Sequence, residues 1–309
     1  MPRPLLCLLP LWLLFFLTPS RGSAAEPQRV QVGTYLLSVG KLDISSNSYY
    51  MDFYLIFHCD RPCNPGNFEI MNSRSFTVDK QEDEPTYKVF RIKGELTNNL
   101  NLRPFPFDQH DLVIILEDKL QTEEAQVYVP DPARTGLHGD MVVAGWHIPP
   151  GRYGGAVRSD RYAVFGQSYS RYTFSVTLDR PWLSAFLKGL LPALLIVISG
   201  LLALLMSADK IMQRLTVCTS ALVASVLFHF NLTSSIPPVG YLTFADRVML
   251  INYLTLLIAL WVSINLMNHL DARRDEHAAR LHVRIKRLVP LAWAALQVGN
   301  ALLGLSLGR

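Results

Sequence analysis

The chain has 309 residues, half of them hydrophobic, and a modest formal net charge of +4. Its apolar residues are concentrated at the extreme start and after Trp182, which argues against a single water-soluble globule. Many of its basic residues lie beside apolar segments, so membrane topology accounts for them, and we predict no nucleic-acid partner.

The first 25 residues have the pattern of a cleaved signal peptide. Arg3 precedes an apolar run over residues 5–17, and the small residues Ser23, Ala24 and Ala25 suit a signal peptidase. The alternative is an uncleaved anchor, but the run is short against the roughly 20 residues that a spanning helix needs. We therefore predict export of the segment that follows.

Residues 26–181 are predicted to form a β-sandwich. Short runs alternate between apolar and polar residues and are broken by turn residues, as at 50–57, 87–92, 111–116 and 172–178. Cys59 and Cys63 fall in this exported domain and are predicted to form a disulfide, because two cysteines are too few for a structural zinc site. We predict no metal site and no cofactor.

Residues 182–309 are predicted to be a transmembrane domain of four helices, at 182–206, 215–232, 248–266 and 288–307. Lys188 is the one charged residue inside these spans, close enough to an end to reach the headgroups. Basic residues border the first and third connections, which places them in the cytoplasm by the positive-inside rule. The sequence thus predicts a multi-pass protein of the inner membrane with a periplasmic or extracellular β-domain.

One face of the second span carries an ordered stripe of side chains. Its members recur at spacings of three and four, with small hydroxyls toward the cytoplasm and bulky apolar groups toward the outside: Thr216, Ser220, Val223, Leu227 and Phe230. Such a stripe suits a pore whose apolar rings close by dewetting, and it equally suits a face that packs against other helices. The stripe alone does not separate these alternatives.

The ion preference is harder to predict from the inner end of this span. Met212 and Gln213 occupy the mouth, where an acidic ring would favour cations, and Asp209 is the nearest acid. Arg214 is free to turn away from the axis toward Asp209 or a lipid phosphate. We therefore hypothesise that the pore conducts cations.

Three local motifs and the order of segments resemble the pentameric ligand-gated ion channels, in particular their prokaryotic members. The motifs are Arg-Pro-Phe-Pro-Phe-Asp-Gln-His at 103–110, Arg180-Pro181 before a first span that carries Pro192, and Ser-Ile-Pro-Pro-Val-Gly-Tyr at 235–241. The resemblance covers nearly all of the mature chain. It implies a homopentamer around a central pore, a small-molecule agonist and permeating ions, with lipids as neighbours, and it favours pore lining over helix packing.

The sequence also departs from the animal members of that family. Leu112 stands where they begin a disulfide-closed loop, the segment after His58 is short, and residues 268–287 leave no room for a large cytoplasmic domain. The resemblance is therefore to a minimal bacterial-type subunit without the family's Cys bridge.

The resemblance also implies roles for residues at the junction and in the β-domain. The resemblance implies that Arg180, flanked by the carboxylates of Asp43 and Asp108, couples the β-domain to the pore. The turns that meet at this junction are expected to take part through Phe107, Pro237 and Pro238. The candidate ligand-binding residues are aromatic, because ring faces attract a cationic agonist. They are Phe68, Tyr128, Tyr162, Phe165 and Tyr169, the last three on the hairpin of the final two strands.

Two other functional classes are weaker. An enzyme is not expected, because the sequence has no nucleophile elbow, no phosphate-binding glycine loop and no His-Glu-x-x-His motif. The alternative is a non-conducting membrane receptor or structural protein with a β-sandwich sensor. Such a protein would not need the graded stripe of the second span.

Overall fold

The computed structural model describes residues 26–207, 210–272 and 275–307, in which a β-rich part is followed by long helices. The predicted signal peptide, residues 1–25, lies outside this range, as does Asp209.

Ten strands form two sheets. They are β1 (Gln28–Asp43), β2 (Ser48–Cys59), β3 (Phe68–Ile70), β4 (Ser73–Asp83), β5 (Tyr87–Thr97), β6 (Gln109–Asp118), β7 (Gln126–Pro130), β8 (Gly136–Leu137), β9 (Tyr153–Tyr162) and β10 (Gln167–Asp179). One sheet has the order β4-β5-β2-β1-β7, with β8 also beside β1, and the other has the order β3-β6-β10-β9. Both β7 and β8 run parallel to β1.

The core of this part lies between the two sheets. Alternate residues of β2, such as Phe53 and Leu55, are fully buried, and so are Ile114 of β6 and Phe174 of β10, which belong to the same apolar cluster. Because side chains of a strand point alternately to its two faces, this pattern follows from the alternation in the sequence. The two sheets therefore pack face to face over one core.

Cys59, at the end of β2, forms a disulfide with Cys63. The domain therefore contains a bridge of its own, which the resemblance to bridge-free relatives does not imply. Leu112 is a fully buried residue of β6.

Five α-helices and one π-helical turn follow the sheets in the described residues. They are α1 (Trp182–Ala185), a π-helical turn (Phe186–Leu190), α2 (Leu191–Ala203), α3 (Ile211–Thr233), α4 (Phe244–Asp271) and α5 (Asp275–Leu307). Pro192 lies in the first turn of α2, directly after the π-helical turn, where a missing backbone N–H is tolerated. The hydroxyl and carboxylate of Thr243 and Asp246 cap the start of α4 reciprocally.

Within the described residues, three helical stretches are long and apolar enough to cross a membrane: Trp182–Ala203, Ile211–Thr233 and Phe244–Asp271. The predicted fourth span forms the second half of α5, which contains Pro290. The helices differ from the predicted bounds mainly by including polar ends. In particular, the predicted connection 268–287 is largely helical, because α4 continues to Asp271 and α5 begins at Asp275.

The helices pack as a bundle in which α3 lies against α2 and α4, while α5 packs mainly on α4. A polar contact fixes the last pair: the Oδ1 atom of Asn252 accepts hydrogen bonds from Trp293 Nε1 (3.0 Å) and Gln297 Nε2 (2.9 Å). Asn252 is fully buried.

Candidate pore face and domain junction

The predicted stripe of α3 lies on the side of the helix that no other helix in the described ranges covers. Val223, Leu227 and Phe230 are 54%, 64% and 72% exposed. Thr216 and Ser220 are exposed as well, although the hydroxyl of Thr216 donates to the carbonyl of Met212 (2.9 Å) on its own helix. The opposite side of α3 is buried against α2 and α4 through Cys218, Ala221 and Ser225. The stripe is therefore not used for packing within the chain.

Arg214 lies on the buried side of α3 and is fully buried. One guanidinium nitrogen is 3.5 Å from His282 Nδ1 of α5, while Nε and Nη2 have no hydrogen-bond partner. Arg214 thus turns into the bundle. At the inner end of α3 the exposed side chains are instead Met212 and Gln213.

A second contact joins α3 to α4 near the β-domain. His229 of α3 has Nδ1 2.9 Å from the Tyr253 hydroxyl and Nε2 2.9 Å from Asp246 Oδ1. Because Asp246 also caps α4, one carboxylate ties the start of α4 to α3. No sequence motif marks His229, because it is a lone histidine in an apolar span.

Arg180 and Asp108 form the central ion pair at the junction of the two parts. Arg180 donates from Nε to Asp108 Oδ1 (2.6 Å) and from Nη2 to Oδ2 (2.9 Å), a bidentate geometry. The Asp108 carboxylate is fully buried and also lies 2.6 Å from His110 Nε2. The guanidinium faces the rings of Trp146 (4.5 Å) and Phe105 (5.5 Å).

These contacts set the protonation of Asp108. Burial by itself would raise the pKa of the carboxyl, but the hydrogen bonds from His110 and Arg180 and the positive charge outweigh it and lower the pKa to about 2. Asp108 is therefore ionised at any physiological pH. His110 and Trp146 complete this site. The motif at 103–110 includes His110 but does not indicate its contact with Asp108, and Trp146 lies outside the motif.

Asp43, the second carboxylate expected beside Arg180, forms no ion pair with Arg180 in the described part of the chain. Asp43 ends β1, and its Oδ1 atom accepts hydrogen bonds from the backbone N–H (3.0 Å) and hydroxyl (2.6 Å) of Ser45. The Ser45 hydroxyl is the main reason that the pKa of Asp43 is lowered. The turn that follows β1 thus satisfies the Asp43 carboxylate locally.

The 102–107 turn bonds directly to the start of α4. The N–H groups of Phe244 and Ala245 donate to the carbonyls of Arg103 (2.8 Å) and Phe105 (3.0 Å). The ring of Phe107 lies 5.9 Å from that of Phe244. These bonds satisfy N–H groups that the first turn of a helix leaves unpaired, so the turn acts as an additional cap.

An apolar cluster closes the same junction. It contains residues from the β1–β2 turn, from the 102–107 turn, and from the end of α3, the α3–α4 loop and the start of α4: Ile44, Leu102, Phe105, Leu232, Ile236, Val239, Tyr241 and Ala245. The Tyr241 hydroxyl accepts a hydrogen bond from Leu102 N–H (3.1 Å), and its ring faces Arg103 (4.7 Å). Pro237 and Pro238 lie in this loop but are not part of the cluster, with Pro237 half-buried and Pro238 exposed.

The five candidate ligand-site aromatics occupy two different places. Phe68 and Tyr128 are 5% and 2% exposed, and both pack on Phe57 in the core. A ligand at the surface of this conformation does not reach their rings. Both lie on the inward-facing positions of their strands.

Tyr162, Phe165 and Tyr169 lie together on the β9–β10 hairpin. The ring of Tyr162 is 5.6 Å from Tyr169 and 6.4 Å from Phe165, which is 70% exposed. The Tyr162 hydroxyl donates to Glu117 (2.8 Å) and accepts from Arg171 (3.0 Å). Arg171 is also paired with Glu117 and Asp160. Burial and the Glu117 carboxylate raise the pKa of Tyr162, which keeps the phenol neutral.

The chain is similar in sequence to a known ion channel. No family model matches the chain. The chain is 19% identical over 305 residues to a proton-gated ion channel of Gloeobacter violaceus, and the alignment covers 90% of this chain and 84% of that protein. The similarity spans both the β-rich part and the helices, and the relative is described as a channel rather than an enzyme.

Proposed function

We propose that the chain is a subunit of a ligand-gated ion channel, a homopentamer of the bacterial inner membrane whose pore is lined by α3. The observation that carries the proposal is the α3 stripe, whose members are all exposed while the opposite side of the helix is buried. A single chain leaves this ordered stripe uncovered, and a ring of copies around an axis covers it. Similarity to a proton-gated ion channel over nearly the whole chain supports the same conclusion.

In this proposal Thr216 and Ser220 contact hydrated ions near the cytoplasmic end, and Val223, Leu227 and Phe230 form the apolar constriction. Arg214 is buried in the bundle, so its charge is not presented to the pore surface. Because no Arg214 charge then faces the lumen to repel cations, this placement supports cation conduction. In this topology the half of α5 at 288–307 is the fourth span.

Gating in this proposal starts in the β-domain, with Tyr162, Phe165 and Tyr169 as the agonist site. Their ring faces suit a cationic or aromatic ligand, and the Glu117–Arg171 pair holds Tyr162 in place. The Arg180–Asp108 pair and the cluster around Phe105 transmit the change to the 235–241 loop and so to α3. Protons are the first stimulus to test, because the relative is described as proton-gated.

The experiment is current recording from purified protein in planar bilayers, with pH steps and a panel of small amines, under a salt gradient that distinguishes cations from chloride. Leu227→Thr places a hydroxyl in the proposed constriction, so we expect a larger current at rest, because wetting the gate becomes easier. Leu195→Thr is the matched control: Leu195 is 56% exposed on α2 and faces away from the bundle. Equal effects of the two substitutions, or no current under any stimulus, would contradict the proposal.

The remaining alternative is a receptor that does not conduct. In that case the protein binds its stimulus and both variants stay silent in bilayers. Stimulus binding with no current in any variant would therefore select this alternative.

A further inference from the structure

The two sheets of the β-domain end in edge strands that carry opposite charges. Strand β4 is the last strand of one sheet, and β9 is the last strand of the other. Strand β9 carries exposed arginines at Arg158 and Arg161. An exposed edge strand is either protected by its own charges or covered by another chain. The second half of β4 and the residue after it carry exposed acids instead: Asp79, Glu82, Asp83 and Glu84.

Glu82 and Arg161 have no ionic partner within their own chain. Asp83 forms ion pairs with two lysines, at 2.7 and 2.6 Å, and Arg158 lies 4.0 Å from the carboxylate of Asp160. Among the described residues, neither Glu82 nor Arg161 forms an ion pair of this kind. Arg158 and Arg161 also point to opposite faces of β9, because they are an odd number of residues apart. One acid and one base thus remain free, each on a different edge.

The two edges lie on opposite sides of the sandwich. The ring of Phe68 on β3 is 5.3 Å from that of Phe90 on β5, so β3 packs over the side of the first sheet that ends in β4. The hydroxyl of Tyr172 on β10 is 3.1 Å from that of Thr34 on β1, so β10 packs over the other side. Strand β9 lies beyond β10, away from β3. A chain therefore cannot join its own β4 and β9, but two neighbouring copies can.

The ends of β5 and β10 nearest the helices lie level with each other. Asn98, directly after β5, donates from Nδ2 to the carbonyl of Asp111 on β6 (2.8 Å). Asp111 is paired in turn with Thr177, two residues before the end of β10. Distances along both strands can therefore be counted from the same level.

Counted from that level, Glu82 and Arg161 stand at the same height. Glu82 is paired with Val89 of β5, and Arg161 is paired with Ser168 of β10. Val89 precedes the end of β5 by about as many residues as Ser168 precedes Thr177. Strands rise by about 3.3 Å per residue, so the two side chains lie at nearly the same distance from the helices. Copies arranged around an axis through the helical bundle would bring them together.

We propose that the β4 edge of one copy lies against the β9 edge of a second copy of this chain, with Glu82 facing Arg161 of its neighbour. The inference rests on the ring of the proposed function and adds the surface that sets its direction. Each copy contributes two different edges, so the contact is head-to-tail and closes into a ring rather than a two-fold dimer. Opposite charges at such a contact orient the copies, and like charges there repel.

The test is a charge swap in the full chain, purified in detergent, with the assembled fraction measured by native mass spectrometry. We expect Glu82→Arg or Arg161→Glu alone to lower that fraction roughly tenfold at low protein concentration, because like charges then face each other. The double variant restores opposite charges with their positions exchanged, and we expect it to assemble as wild type. Arg29→Glu is the control, since Arg29 is an exposed arginine of β1, an inner strand of its sheet. Added salt should reduce the loss in each single variant, because exposed charges are screened.

The outcomes separate this contact from the proposed function. Wild-type assembly of both single variants overturns the contact, and so does a loss in the double variant as large as in the single ones. An equal loss in Arg29→Glu overturns it too. If one single variant is not folded by tryptophan fluorescence, the other single variant and the double variant carry the test. An assembly that obeys the charge swap but passes no current contradicts only the proposed conduction, and a conducting pentamer that ignores the swap contradicts only this contact.

Discussion

Arg180 shows how much one side chain at the junction holds together. Its guanidinium makes two hydrogen bonds to a fully buried carboxylate and lies against two aromatic rings. Removing one partner of a buried pair costs on the order of 3–5 kcal/mol, because the other charge stays buried without compensation. Loss of Arg180 is therefore expected to destabilise the junction strongly, because the Asp108 carboxylate is buried away from water.

We expect Arg180→Ala to abolish assembly or gating, since the buried Asp108 carboxylate loses its bidentate cation and keeps only His110 as a side-chain partner. Arg180→Lys keeps the charge but not the bidentate geometry or the flat contact with Trp146, and we expect an intermediate loss. Size-exclusion chromatography and current recording measure both. Arg158→Ala, at an exposed arginine of β9, is the control and should behave as wild type. Normal currents from Arg180→Ala would rule out the coupling role.

The low pKa of Asp108 gives a pH dependence with a definite sign. The carboxyl titrates near 2 in the folded protein against an ordinary value of 3.8, so the pair stabilises fully above pH ~4 and is lost as the pH falls toward 2. We expect this contribution, on the order of 2 kcal/mol, to be constant between pH 7 and 5 in thermal unfolding of the full chain. Asp108→Asn should be less stable and should lose this acid-dependent component. A drop already at pH 6 that Asp108→Asn removes would contradict the assignment.

At the scale of the element, α5 is anchored to α4 by polar atoms rather than by apolar surface alone. Asn252 accepts from Trp293 and Gln297 inside the bundle, where water does not compete. Hydrogen bonds between helices in membranes are worth about 1 kcal/mol each, and an unpaired donor adds a penalty.

We therefore expect Asn252→Ala to lower the melting temperature in detergent, with a loss of about 1–2 kcal/mol. Asn265→Ala is the control on the same helix, because the half-buried Asn265 donates to the Trp261 carbonyl of α4 itself and not to another helix in the described residues. If both variants melt together, the contact does not anchor α5.

The elements also show which parts of the sequence predict structure by themselves. The runs at 50–57, 87–92, 111–116 and 172–178 lie in β2, β5, β6 and β10, because burial of one face requires alternation. Almost all residues of strand β4 are exposed, so it has no buried face that requires alternation. Strands β7 and β8 are short and pair with β1 in parallel. Alternation of apolar and polar residues therefore does not mark these three strands in the sequence.

The candidate site was predictable where a sequence motif fixes the backbone. It was not predictable where a side chain can form a hydrogen bond with a nearby residue instead of the expected partner. Asp108 and Arg180 follow from their motifs, whereas Asp43 found a hydroxyl two residues away. Tyr128 is aromatic like Tyr162, and only its inward position in the strand separates a core residue from a surface one.

For the whole molecule, the exposed stripe of α3 predicts assembly. A heterologous interface that closes into a ring covers that face and leaves α5 at the periphery. We expect native mass spectrometry to count five copies, in wild type and in Leu227→Thr alike. A monomer or another closed number would contradict the proposed architecture.

The 102–107 turn is joined on one side to the chain entering the first span, through Asp108 and Arg180, and on the other to the start of α4 by backbone hydrogen bonds. These two sets of contacts limit where this chain can be divided to make a chimera with a similar protein. A chimera divided only at Pro181 would combine a turn from one parent with the 235–245 segment of the other. The β-domain is therefore exchangeable as a working module only when that segment travels with it.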